Sequence, residues 1–213
     1  MTIEQSTTDK LLIAAAFQAH ILQGVSRSFA LTIPQLPEPL SGVVSNAYLL
    51  CRIADTIEDE PALNPDDKVR LTEAFADLVG GRGEIAAFVD ELLPKLSSAT
   101  LDAEMELVKN TGLVLAMTES YPANARAAIE RCVRIMCRGM HRFQQHAGPD
   151  GLRDLNELGR YCYYVAGVVG EMLADLFCAY APDTAKRKTD LGRYAVAFGQ
   201  GLQMTNILKD IWE

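Results

Sequence analysis

Tyr48 to Glu60 reads Y-L-L-C-R-I-A-D-T-I-E-D-E. The segment opens as a buried helix, with Leu49, Leu50, Cys51, Ile53 and Ala54, and then takes on Asp55, Glu58, Asp59 and Glu60 within six positions. Tyr48, Arg52, Asp55 and Asp59 stand at offsets 0, +4, +7 and +11, which is one face of an α-helix, and Glu58 lies beside that face. Like charges one turn apart cost an exposed helix about 0.2–0.5 kcal/mol, and an unpaired ion costs several kcal/mol once buried. Two readings tolerate the cluster: a solvated helix end, or a cation-binding site.

The end of the chain repeats the arrangement. In G-Q-G-L-Q-M-T-N-I-L-K-D-I-W-E, Gln203, Asn206, Asp210 and Glu213 stand at 0, +3, +7 and +10, a polar stripe among Leu202, Met204, Ile207, Leu208, Ile211 and Trp212. Two such stripes on separate helices can face each other across a bundle core. Hard divalent cations suit oxygen donors, and Mg²⁺ is commonly held by one or two carboxylates together with substrate phosphates. The pair of stripes therefore favours a metal–diphosphate site. A third polar group lies in Y-C-Y-Y-V-A-G-V-V-G-E, where Tyr164 and Glu171, seven apart, are expected to share a face. Gly167 and Gly170 there allow either close helix packing or a bulky ligand.

Outward from these segments, helical spacing recurs and alternating strand patterns are almost absent. Helices are expected from Asp9 to about 23, then over about 38–60, from Asp66 to the Gly80-Gly81-Arg82-Gly83 turn, and over about 84–93, 101–118, 123–145, 154–179 and 184–213. With no repeat and no long linker, the 213 residues, 49% of them hydrophobic, predict one all-α helical bundle of about eight helices.

The formal charge of −8 and the lack of a basic block argue against nucleic-acid binding. Five cysteines in apolar helical contexts, without C-x-x-C, favour reduced core thiols over a disulfide framework or a zinc site. No run reaches the roughly 18 uninterrupted apolar residues of a membrane span, and the first ten residues lack the basic start of a signal peptide. The expectation is a cytoplasmic protein, with peripheral contact at a membrane surface if its substrate is a lipid.

Four segments, in order, resemble the squalene/phytoene synthases, the head-to-head prenyl transferases: S-R-S-F at 26–29, Y-L-L-C-R-I-A-D-T-I-E-D at 48–59, Y-C-Y-Y-V-A-G-V-V-G at 161–170 and Q-M-T-N-I-L-K-D-I-W-E at 203–213. The general look is nearest to squalene synthase of the bacterial type. The resemblance implies the class I isoprenoid-synthase fold with a central cavity, and joining of two prenyl diphosphates such as farnesyl diphosphate to presqualene diphosphate and squalene or a relative. Phytoene or dehydrosqualene synthesis and a catalytically silent interaction protein are the alternatives. By the same resemblance, Asp55, Glu58 and Asp59 hold Mg²⁺ and one diphosphate, and Asp210 and Glu213 belong to the second acidic motif. Arg27, Ser28, Tyr48 and Arg52 contact diphosphate or cofactor. Tyr164 handles the carbocation or its proton, and Gln203 and Asn206 line the cavity. NADPH is needed only if hydride ends the reaction.

Two positions depart from the family. Lys209 stands where the family has Arg, which keeps the charge but not the bidentate fork. The pattern D-x-x-E-D stops at Glu213, before its closing aspartate. The resemblance thus implies a single domain over 1–213 lacking its last helices, with a weakened second metal site and an exposed apolar face that favours association.

Overall fold

The computed structural model describes residues 3–26, 28–144 and 151–210. The described residues are helical without strands. They divide into two compact units, Met1–Arg126 and Ala127–Glu213.

The first unit is built around α3 (Leu40–Asp59). Fourteen of its 20 residues are buried, and Leu49, Leu50, Ile53, Ala54 and Ile57 are wholly inaccessible. A helix apolar on nearly every side needs partners on every side. They are α1 (Ile3–Val25), α4 (Pro65–Val79), α6 (Asp102–Lys109) and α7 (Thr111–Ser120). Several polar groups inside this packing are matched, although the Gln18 Oε1 is buried without a partner. Asn46 donates to the Val114 carbonyl at 2.9 Å and accepts from the Thr118 hydroxyl at 2.8 Å, joining α3 to α7. Gln18 and Tyr121 both donate to the Gly42 carbonyl, at 2.8 and 2.9 Å. Short α2 (Phe29–Thr32) follows α1, and α5 (Ile85–Leu92) packs on α4.

Local chemistry sets the helix ends. Asn64 caps α4 by accepting from the Asp67 amide at 2.9 Å, with Pro65 in the first position, where no N–H is missed. Gly81 and Gly83 adopt positive φ, 75° and 94°, so the expected glycine turn forms. Two expectations need correction. Asp9 lies inside α1, which begins at Ile3, rather than capping it. The helix expected over 101–118 is two helices, broken at Asn110 (φ −102°, ψ 23°), whose side chain donates to the Glu106 carbonyl at 2.9 Å. Asparagine competes in this way with the helical ladder.

The second unit carries the continuation of α8 (Ala123–Gln144), α9 (Leu155–Cys162), a π-helical turn (Tyr163–Gly167), α10 (Val168–Tyr180), short α11 (Pro182–Ala185) and α12 (Lys188–Asp210). Residues 155–180 are together long and apolar enough to cross a membrane by length and composition. Here the run is interrupted by the π turn and packs along α12. Glycines make that contact possible. A Cβ at Gly170 would stand 2.2 Å from the Ala195 carbonyl oxygen, and one at Gly199 would stand 2.3 Å from that of Ala166. Close packing, one of the two readings the glycines allowed, is therefore what Gly170 does. All five cysteines are buried, and none is in a disulfide.

Gly170→Ala should thus destabilise the second unit by about 2–3 kcal/mol in chemical denaturation, because backbone must move to admit the methyl. Gly201→Ala, on α12 and facing open space, should instead gain about 0.5–1 kcal/mol from helix propensity.

Candidate active site

The last turn and a half of α3 holds Asp55, Glu58 and Asp59, where unpaired carbonyls already carry partial negative charge. Asp55 and Glu58 are half-buried and Asp59 is exposed. Burial pushes the Asp55 carboxyl up to about 7; Arg52 opposes this, while Asp59, Glu58 and Glu104 add to it. Burial also takes Glu58 up to about 7, reinforced by Asp59 and eased by Lys68. Asp59, though exposed overall, is raised as well, by partial desolvation of its carboxyl first, with Arg52 pulling it back. The site is therefore an under-neutralised patch of carboxylates.

Basic groups stand around it. Arg52, one turn before Asp55, makes a long contact from its terminal nitrogen to the Val25 carbonyl (3.4 Å) and a loose ion pair with Glu104 (3.7 Å). Its Nε is buried without a hydrogen-bond partner. Burial favours its neutral form, but Tyr48, Asp55 and Glu104 outweigh that and raise it. Tyr48 donates to the same Val25 carbonyl at 3.1 Å and packs on Phe29 with ring centroids 5.4 Å apart. Ser28 is exposed at the start of α2. Arg27 lies outside the described residues.

Sequence reading missed Glu104 and Lys68. Glu104 is in the first turn of α6, accepting from the Leu101 amide at 3.3 Å, a capping arrangement that conceals its second role facing Arg52. Lys68 reaches from α4 to the Glu58 carbonyl. Neither sits in a motif that spacing could single out. Glu60, which looked like a fourth member of the cluster, points elsewhere. It is 1% exposed and accepts from the Ala62 amide (2.8 Å), the Ser97 amide (2.8 Å) and the Thr100 hydroxyl (2.6 Å). Burial alone would raise its carboxyl, but these bonds overcome it and hold the group at about 2.

In the second unit Glu171, expected to share a face with Tyr164, takes its tyrosine contact from Tyr163 instead. A π turn is one residue wider than an α turn, so Tyr163, eight residues before Glu171, occupies that register and donates to it at 3.3 Å. Arg131 bridges Glu171 (3.9 Å) and Asp175 (2.9 Å). Tyr164 is seated on Gly139, where a Cβ would stand 2.3 Å from that of Tyr164. On α12, Gln203 is half-buried, whereas Asn206 and Lys209 are exposed. Asp210 closes the helix; its side chain and the whole of Glu213 lie outside the described part of the chain.

Mg²⁺ fits the donor chemistry at the end of α3: oxygen ligands only, carrying charge that burial has left poorly compensated. Among the described residues no three acids, histidines or cysteines converge into a ready-made cage. The residues therefore fit a cation that takes one or two carboxylates, Asp55 and Asp59 foremost, and completes its shell with water and phosphate oxygens.

The raised Asp55 value has a sign that can be tested. A carboxyl held above its unfolded value near 4 contributes stability fully present below that value and lost as pH rises through 7. Asp55→Asn should melt above the wild type at pH 8 without metal, by about 2 kcal/mol, and the advantage should disappear towards pH 4.

The sequence profile of the Squalene/phytoene synthase family matches residues 22–213. The chain is 32% identical to Botryococcus squalene synthase of Botryococcus braunii over 93% of its own length and 39% of that protein's. Against squalene synthase 1 of Arabidopsis thaliana it is 30% identical over 92% of this chain and 44% of the relative. The solved structure of TcSQS with the ligand BPH1237 superposes with a TM-score of 0.74 at 27% identity, covering 92% of this chain and 53% of that one. The chain thus spans about two fifths of the length of these two curated relatives. The all-α fold and the profile agree with the four motifs, and the chain belongs to the squalene/phytoene synthase family.

Proposed function

We propose that this chain serves head-to-head condensation of two allylic prenyl diphosphates, farnesyl diphosphate foremost, giving presqualene diphosphate and then squalene or a relative. The observation that carries the reading is the pairing of Arg52, a guanidinium with a buried Nε lacking any partner, with carboxylates raised by burial one and two turns away. A diphosphate accompanied by Mg²⁺ would satisfy both at once: anion for the unused N–H groups, cation for the crowded oxygens. Relatives named squalene synthase support the choice of product class.

The chain's own residues divide the work. Asp55 and Asp59 hold the metal, which when bound offsets the charge of the departing diphosphate. Arg52 and Tyr48 orient that diphosphate, and Arg27, Ser28 and Lys209 add donors to it. Apolar helix faces keep water from the allylic cation that ionisation leaves. Asp210 and Glu213 serve the second diphosphate, with Gln203 and Asn206 beside them. Tyr164 handles the cation or its proton. Hydride from NADPH would end the reaction at squalene, and proton loss would end it at a dehydrosqualene or phytoene. The protein works in the cytoplasm or against the inner face of a membrane, where its product partitions.

Calorimetry with Mg²⁺ and a non-hydrolysable farnesyl diphosphate analogue should show binding that Asp55→Asn and Arg52→Met each weaken at least tenfold. Product analysis by gas chromatography, with and without NADPH, then separates squalene from dehydrosqualene. Binding without any product would favour the silent interaction protein, and unchanged isotherms in both variants would refute the site. Tyr164→Phe should slow turnover with little loss of stability, whereas Tyr163→Phe should cost about 1 kcal/mol through the lost Glu171 bond.

A further inference from the structure

We propose that Glu104 on α6 is a positioning residue that holds the Arg52 guanidinium in the orientation in which it receives diphosphate, a role that rests on the metal–diphosphate reading of the site. Two helix ends converge on Arg52. α1 closes at Val25, and the Val25 carbonyl, among those a helix end leaves unpaired, accepts from Arg52 Nη2 at 3.4 Å. α6 carries Glu104 in its first turn, and Glu104 Oε1 stands 3.7 Å from Arg52 Nη1. The two helices are pressed together one residue earlier in each: a Cβ at Gly24 would stand 2.9 Å from that of Ala103. That approach is closer than a methyl at Gly24 allows, and the residues next in sequence, Val25 and Glu104, are the two that reach Arg52.

These contacts aim the guanidinium without saturating it. A guanidinium has five N–H donors. Here the terminal nitrogens make long contacts, and the buried Nε has no partner. The plane is held from two sides while donors stay open for the paired oxygens of a phosphate, which a planar fork suits. Glu104 is itself constrained. Its Oε2 accepts from the Leu101 amide at 3.3 Å, which ties the carboxylate to the start of α6. Its side chain is 16% exposed, and with so little access to water an unpaired charge is costly. A carboxylate in this place also repels an incoming diphosphate. Its net effect on binding is favourable only if orienting Arg52 outweighs that repulsion, so positioning and plain electrostatics predict opposite signs.

Glu104→Gln removes the charge and keeps an oxygen for the Leu101 amide, so the helix cap survives. Calorimetric titration with Mg²⁺ and a non-hydrolysable farnesyl diphosphate analogue, whose apolar chain keeps weakened binding measurable, reads the sign. Positioning predicts that Glu104→Gln binds about three- to tenfold more weakly than wild type, the cost of immobilising one long side chain on binding. Unchanged or tighter binding would overturn it. The Arg52→Met background then separates positioning from other roles through a double-mutant cycle. There Glu104→Gln should no longer weaken binding, because no guanidinium is left to orient. An equal loss in both backgrounds would overturn positioning, since a metal ligand or a purely structural residue would behave in that way. If Arg52→Met itself leaves binding unchanged, the diphosphate reading and the positioning role fail together. If Arg52→Met weakens binding and Glu104→Gln does not, positioning alone is refuted.

Discussion

Everything in the first unit depends on the burial of α3. Its Leu49, Leu50, Ile53 and Ile57 side chains are closed off from water, and each such side chain contributes about 1.5–3 kcal/mol. That packing can hold the end of the helix in an arrangement it would not adopt alone. Three carboxylates crowd the helix terminus at which the macrodipole opposes them, and burial raises two of them to about 7. The cost is electrostatic and local, and apolar packing a turn or two earlier offsets it.

The surrounding polar groups are graded in how completely they are satisfied. Glu60, one residue past the helix, has three donors and is held strongly acidic, so it works as a joint between α3 and the 97–100 segment. A few residues away the Arg52 Nε is buried without a partner and the Asp55 carboxyl is raised by burial. A folded chain normally pairs its buried polar atoms. A completed joint beside an incomplete cluster is the pattern of a structural element abutting a binding element.

The second unit relies on backbone approach more than on charge. Gly170 and Gly199 let α10 and the π turn touch α12 at distances that any side chain would block. The π turn has a further consequence, since one extra residue rotates the helix on either side of it. Tyr163 thereby gains the Glu171 contact, and Tyr164 is turned onto Gly139. On α12, Tyr194, Phe198 and Leu208 are 59%, 68% and 62% exposed.

The sequence by itself determined the all-α class, most helix boundaries, the glycine turn at 80–83, the buried thiols and the family. Each rests on short-range signals: apolar spacing, Asn and Pro at helix starts, glycine where φ is positive, and four motifs in order. It also placed Asp55 and Asp59 on one face with Arg52, because an unbroken α-helix has a fixed period. Only the tertiary structure decided the rest. Whether Glu60 joined the cluster or the core depended on Ser97 and Thr100, 37 and 40 residues away along the chain. That Glu104 and Lys68 border the acids depended on where α6 and α4 pack. That Tyr163 and not Tyr164 meets Glu171 depended on one widened turn, which hydrophobic periodicity over so short a stretch does not reveal. Charge acts through space, and a sequence records distance only along the chain.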